Sequence, residues 1–118
     1  MSNPTYSPLA RRAVQLAADV AAGKAIKHNG AVAGDGELAL GVTEHAYNNG
    51  DNGSVVIAGT VLMKIKQQLA AGTLLKADSI GDAIGGVQSG DFTIGELLGS
   101  CGTNDWSEVL INKFQKVD

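Results

Sequence analysis

The sequence predicts a small all-β protein, an antiparallel barrel or sandwich built from two similar halves, with an extended N-terminal arm. Three observations support this fold class. Glycine accounts for 16 of 118 residues, which indicates many turns and therefore short strands rather than long helices. The central stretch Ser54–Ile65 is mostly β-branched or large and apolar, with Gly59 near its middle. The pattern that precedes Gly59 also recurs after it.

The length of the chain predicts a single domain with a modest core. The chain has two Phe, two Tyr and one Trp, so Val, Ile, Leu and Ala must form most of its core. A small aliphatic core leaves a domain of this size marginally stable on its own. We therefore expect oligomerisation to bury additional surface.

Charge and composition argue against several classes of partner. The net charge is −3, and Arg11-Arg12 is the one adjacent basic pair, so we expect no nucleic-acid partner. No apolar stretch approaches 20 residues, so we expect no membrane span. The polar N-terminus lacks a signal sequence, which predicts synthesis in a reducing cytoplasm.

The single cysteine, Cys101, excludes an internal disulfide and a cysteine-built zinc site. We expect it to be a buried or half-buried packing residue.

The N-terminal segment is predicted to be an arm, residues 1–10, ahead of a single β domain, residues 11–118. Pro4 and Pro8 restrict it to extended conformations, so it should not pack as a regular element of the domain. It is either a disordered tail or an arm that orders on a partner, with Tyr6 and Leu9 as anchors. The candidate contact residues are Pro4, Tyr6, Pro8 and Leu9.

Short strands separated by glycine turns are predicted through the first half. Alternation of Val14, Gln15 and Leu16 favours a strand at Arg12–Ala18 over a competing helix at Leu9–Ala22, although alanine is abundant there. The next predicted elements are a turn at Ala21–Gly23, strands at Lys24–Lys27 and Glu37–Tyr47, and a turn at Asn48–Gly53. The central stretch that follows is predicted to be either one strand with a bend at Gly59 or two strands that meet there.

The second half repeats this order. Ala70-Ala71-Gly72 follows Ala21-Ala22-Gly23 by 49 positions, and Asp105–Ile111 follows Asp51–Ile57 by 54. Agreement of residue type and spacing predicts an internal duplication, with residues 11–58 as the first half and residues 60–112 as the second. We expect Gly23 and Gly72 to occupy equivalent turns. A short helical turn at Thr93–Leu98, capped by Asp91, is an additional possibility.

The polar residues do not form a recognisable catalytic or metal-binding pattern. His28 and His45 have turn or strand neighbours and no Gly-x-Ser-x-Gly elbow, so both are interpreted as surface residues. Asp51-Asn52-Gly53 lacks the alternating ligands of a calcium loop, which favours a turn bonded to its own backbone. Gly81-x-x-x-Gly85-Gly86 is not followed by Gly-Lys-Ser/Thr. We therefore expect no enzyme activity, cofactor, metal or small-molecule substrate.

One alternative function involves Lys64. Leu62-Met63-Lys64-Ile65 resembles the attachment site of biotinyl and lipoyl carrier domains, which are also small, β-rich and pseudo-symmetric. In those domains the lysine occupies an exposed hairpin turn. Lys64 lies within an alternating apolar run, which favours a strand position instead.

As a whole, the sequence resembles the capsid cement, or head decoration, proteins of tailed bacteriophages. The resemblance covers about residues 13–111 and rests on an ordered pattern of small motifs: Ala21-Ala22-Gly23, Ala39-Leu40-Gly41-Val42, Ser54-Val55-Val56-Ile57-Ala58-Gly59 and Ala70–Asp78. Thr73 departs from the pattern, because the family tends to carry an acidic residue there.

This resemblance implies a β-rich homotrimer on the outer surface of the virion. Its partner would be the major capsid protein, bound at the junctions between capsomers, and it would be made in the cytoplasm of the bacterial host. A protein that clamps an assembled lattice needs contact area rather than a reactive group, which agrees with the absence of a catalytic pattern.

Overall fold

The computed structural model describes residues 8–111, and this part of the chain consists of strands joined by turns, with no helix. The eight strands are β1 (Pro8–Gln15), β2 (Ala25–Ile26), β3 (Gly41–Thr43), β4 (Asn52–Ile65), β5 (Leu74–Ala77), β6 (Ala83–Ile84), β7 (Gly95–Leu97) and β8 (Asp105–Ile111). The predicted fold class, a small all-β barrel with two similar halves, is confirmed.

The long strand β4 connects the two halves. Its first part pairs with β1 and β3, and its second part pairs with β8, all antiparallel. The strand is continuous across Gly59, whose φ of +92° lies in a region that side chains disfavour. The central stretch therefore forms one continuous strand, which is the first of the two arrangements that the sequence predicted.

The second half closes into a barrel of five strands. Around the ring the order is β4, β6, β5, β7 and β8, and the pairing of β8 with β4 completes it. The contact between β4 and β6 is parallel, at Ile65 and Ala83. The first half places β2, β3, β4 and β1 side by side, and there the backbone N–H of Ala17 donates to the oxygen of Gly30.

Corresponding residues of the two halves have the same strand register. Arg12 pairs with Val55 in the first half, and Val61 pairs with Val109 in the second. Three further pairs of residues in the first half have counterparts in the second half at the same spacings of 49 and 54 positions. These are Ala25–Val42 with Leu74–Glu96, Thr43–Val55 with Leu97–Val109, and the isolated bridge Val20–Tyr47 with Leu69–Cys101.

Two hydrophobic clusters form the core. The smaller cluster lies in the first half and is built on Leu16, Val20, Ile26 and Val55. The larger cluster contains the barrel interior of the second half, including Met63, Ile65, Leu75, Ile94, Leu97, Val109 and Ile111. It also contains Ala25, Val42 and Val56 from the first half, so the first half packs against the second through this group.

Three predicted elements differ from the structure. Strand β1 begins at Pro8 and pairs with β4, so Pro8–Ala10 belong to a regular element rather than to an irregular arm. The strand expected at Glu37–Tyr47 is limited to β3, because Glu37 Oε1 accepts the N–H of Gly34 at 2.6 Å and closes a local turn. The helical turn expected at Thr93–Leu98 is wrong, since this segment contains β7.

Candidate interaction surfaces

The four candidate contact residues are only partly placed by the structure. Pro4 and Tyr6 lie outside the described residues, as does the tail that follows Ile111. Pro8 and Leu9 lie in β1, where the backbone of Pro8 is opposite Gly59 of β4. The described part of the predicted contact segment is therefore held at the junction of the two halves.

Lys64 does not occupy a hairpin tip. It lies in β4 opposite Trp106 of β8, between the buried residues Met63 and Ile65. Its backbone is thus part of a sheet, whereas a carrier domain presents its lysine in a tight turn. This position agrees with the strand interpretation of the sequence.

The other residues considered for chemistry are dispersed. His28 and His45 are exposed, and Cys101 is half-buried against the core of the second half, as expected. Asp51 Oδ2 accepts the N–H of Asn48 at 2.8 Å, which confirms the predicted turn. Within residues 8–111, no group of three His, Cys, Asp or Glu side chains is placed to hold a metal ion, and no helix could cross a membrane.

A buried carboxylate joins the halves through ion pairs. The side chain of Asp82, in the second half, is 4% exposed. Its Oδ1 lies 2.7 Å from Lys24 Nζ of the first half, and its Oδ2 lies 3.6 Å from Lys66 Nζ. Burial of a carboxylate requires such partners, because an unpaired charge away from water is strongly unfavourable.

A second ion-pair group lies on the same boundary. Lys76 Nζ is 2.9 Å from Asp91 Oδ2 and 3.0 Å from Asp35 Oδ1, and Asp35 belongs to the first half. The hydrogen bond to Asp91, followed by the one to Asp35, raises the pKa of Lys76. The hydrogen bond from Lys76, together with the N–H of Gln88, lowers the pKa of Asp91. These charges stabilise one relative placement of the two halves.

An open groove of about 500 Å³ lies beside this boundary. Its lining includes Lys27, His28, Glu37, Leu38 and Phe92, from both halves. The N–H of Gly34 and the nearby Lys27 lower the pKa of Glu37. The Lys27 ammonium lies 3.3 Å from Glu37 Oε2, so charges of opposite sign are already paired within the groove.

The largest exposed apolar residues of the described chain lie mainly on the second half. Leu74 is 53% exposed, Leu98 42% and Trp106 54%. Alternation along the strands places them on the outside of the barrel. Leu75 and Leu97, which adjoin Leu74 and Leu98, are buried. In β8, Val109 and Ile111 are buried, and Trp106 lies on the opposite face of the strand. Leu62 of β4 and Leu110 of β8 are half-buried and follow the same alternation. We call the surface formed by Leu62, Leu74, Leu98, Trp106 and Leu110 the outer face of the second half.

Sequence reasoning missed this outer face. The signal was present in the alignment of the two halves, at the same spacings that predicted the duplication. Positions that carry Ala13, Ala25, Glu44, Asn52 and Val56 in the first half carry Leu62, Leu74, Leu98, Trp106 and Leu110 in the second. Each of these second-half residues is larger than its first-half counterpart or replaces a polar residue with an apolar one.

Comparison with known proteins gives a structural match. No protein-family model and no curated protein matches the sequence. Among solved structures, the fold is similar to the crystal structure of the N base of head fiber gp8.5 in bacteriophage phi29, with a TM-score of 0.68. The match covers 92% of this chain and 98% of that chain at 13% sequence identity, so the likeness is one of fold.

Proposed function

We propose that this chain is a structural protein of a bacteriophage head. The observation that carries the proposal is the fold shared with the phi29 head fiber base over nearly the full length of both chains. The resemblance of the sequence to capsid cement proteins supports the same role independently. More specifically, the chain is a decoration protein that binds the outer surface of the assembled head at capsomer junctions and stabilises it.

The partner in this proposal is the major capsid protein, and the decoration protein acts as a homotrimer. A ligand that binds the assembled lattice but not its separated subunits stabilises the lattice by about 2.7 kcal/mol at a free concentration 100 times its dissociation constant. Such a role requires area and shape complementarity rather than a catalytic group. The N-terminal segment, including Pro4, Tyr6, Pro8 and Leu9, contributes to contacts with the capsid or with a neighbouring copy.

Sedimentation with phage heads tests the proposal. The purified protein is mixed with expanded and unexpanded heads of the phage whose genome carries the gene, and the pelleted fraction is measured. We expect saturable binding to expanded heads, weaker binding to unexpanded heads, and a higher temperature of head disruption when the protein is bound. Absence of binding to both forms, with the protein correctly folded by circular dichroism, would contradict the proposal.

A further inference from the structure

Part of the outer face of the second half has a counterpart in the first half that is covered. Ala25, Val42 and Val56 form a row across β2, β3 and β4, and each is 0% exposed. The corresponding row in the second half is Leu74, Glu96 and Leu110, across β5, β7 and β8. In the first half this row belongs to the same cluster as the core of the second half.

The edge of the sheet differs between the halves in the same way. The N–H of Ala25 donates to the oxygen of Gly81 at 2.8 Å, so the second half contributes a hydrogen bond to the edge of β2, which Val32 of the first half also bridges. Beside β5, the pairing with β6 includes Lys76 and Ala77. Within residues 8–111, no strand pairs with Leu74 on that edge. Leu74, the outermost leucine of this row, therefore lies beside an unpaired strand edge, which is an arrangement suited to docking.

We infer that the outer face of the second half binds the first half of a second copy of this chain. This inference rests on the proposed function, because it assigns the contact within the proposed homotrimer. The internal packing shows that this chain already covers such a row with its own repeated structure, and a second copy extends the arrangement from one chain to the next. Such a head-to-tail contact uses two different surfaces, and it closes into a ring when the rotation between copies allows.

Charge supports this choice of partner. Glu96 and Glu108 alternate with buried residues of β7 and β8, so they lie among the apolar side chains of the outer face. The first half exposes Arg12 on β1, a strand whose described pairing is with β4 alone. Opposite charges at the margin of an apolar contact favour the correct partner and orientation.

The test is the mass of a double variant in solution. Leu74→Glu with Leu98→Glu places two carboxylates on the outer face, at positions exposed enough to leave the monomer folded. Ile80→Glu is the matched control, because Ile80 is 50% exposed and lies in the turn closed by Asp78, outside the outer face. Sedimentation equilibrium should show an oligomer for the original protein and for Ile80→Glu. The double variant should dissociate with a dissociation constant raised roughly 10-fold or more, since its substitutions fall in the contact.

The outcomes separate this inference from the proposed function. A monomeric original protein, or a double variant that remains as oligomeric as Ile80→Glu, would overturn the inference even if head binding is normal. Dissociation of the double variant supports the inference even if the original protein fails to bind heads, a result that would instead count against the proposed function. Folding of each variant is checked by its urea unfolding curve.

Discussion

At the scale of single residues, Gly23 and Gly72 occupy the same turn in different surroundings. Their φ angles are +78° and +89°, and their N–H groups donate to Thr43 and Leu97 at 2.7 and 2.6 Å. A Cβ atom built on Gly23 would lie 2.5 Å from the Trp106 ring and 3.2 Å from the oxygen of Leu62. A Cβ atom on Gly72 would meet nothing within 4 Å.

Substitution of each of these two glycines by alanine distinguishes the effect of backbone strain on stability from the effect of steric crowding. Gly72→Ala should reduce the free energy of unfolding by about 1 kcal/mol, because alanine disfavours a positive φ. Gly23→Ala should lose roughly 1–3 kcal/mol more, because it must also displace Trp106. Urea unfolding measures both losses. Trp106 is the single tryptophan, so its emission spectrum should shift in Gly23→Ala and remain unchanged in Gly72→Ala. Equal losses with unchanged spectra would show that the Trp106 ring does not pack there.

The ion pair between Lys76 and Asp91 predicts a dependence of stability on pH. Its hydrogen bond lowers the pKa of Asp91 below the ordinary value of 3.8, so the ionised form is favoured in the folded state. The resulting stability is present above pH 3.8 and is lost as the pH falls through the lower pKa of the folded protein. Asp91→Asn should therefore flatten the loss of unfolding free energy in this acid range.

Lys76→Met provides the matched test of the cause. This substitution removes the group that lowers the pKa of Asp91, so it should flatten the acid dependence to a similar extent. Adding Asp91→Asn to Lys76→Met should then change the acid dependence little, because the two residues act as a pair. Urea unfolding between pH 2 and 6 supplies the measurement. Independent, additive effects would show that the lowered pKa arises from other neighbours.

At the scale of elements, β4 determines how the two halves are joined. Val55 and Ile57 contribute to the first-half cluster, whereas Val61 and Met63 contribute to the second-half core. The positive φ at Gly59 lies between these two sets. One strand thus serves both halves, so their relative placement is fixed by a continuous backbone as well as by side chains.

The sequence predicted β4 and the duplication because both depend on local signals. An apolar β-branched run identified the strand, and the glycine turns at Gly23 and Gly72 set the spacing of the repeat. The prediction of a helical turn at Thr93–Leu98 was wrong because tertiary contacts determine the structure of this segment. There the N–H of Ile94 donates to Leu75 at 2.9 Å, and that of Leu97 donates to Thr73 at 2.9 Å. Such long-range pairing is not visible in a window of sequence.

The outer face of the second half was unpredictable for a different reason. Leucine in an alternating strand identifies a side that is buried, but it does not say whether the chain itself or a partner buries it. Leu74 and Leu75 are adjacent, and only Leu75 is buried. The difference between each leucine and its smaller or polar counterpart in the first half identifies the exposed side.

At the scale of the whole molecule, charges join the halves into one unit. Lys24 and Asp82 form an ion pair across the boundary, and so do Asp35 and Lys76. The larger hydrophobic cluster includes residues from both halves. These contacts lie within residues 8–111, so none of them involves the segment that precedes Pro8.

The N-terminal segment can therefore be tested separately from the domain. Because β1 begins at Pro8, the suitable deletion removes residues 2–7 and leaves the pairing of β1 with β4 intact. We expect the thermal unfolding midpoint of the free protein to change little. Affinity for phage heads should fall by about 1–3 kcal/mol, the scale of one or two anchored side chains, with Tyr6 as the main anchor.

A matched variant distinguishes an anchor from a spacer. Tyr6→Ala retains the length and both prolines, so it should account for much of the loss caused by the deletion if the aromatic ring fills a pocket on the partner. Isothermal titration with expanded heads compares the two variants with the original protein. Unchanged affinity in both would show that the segment is a tail without a role in binding. A loss in the deletion alone would assign the contact to the rest of the segment, and proline there would reduce the entropy lost on ordering.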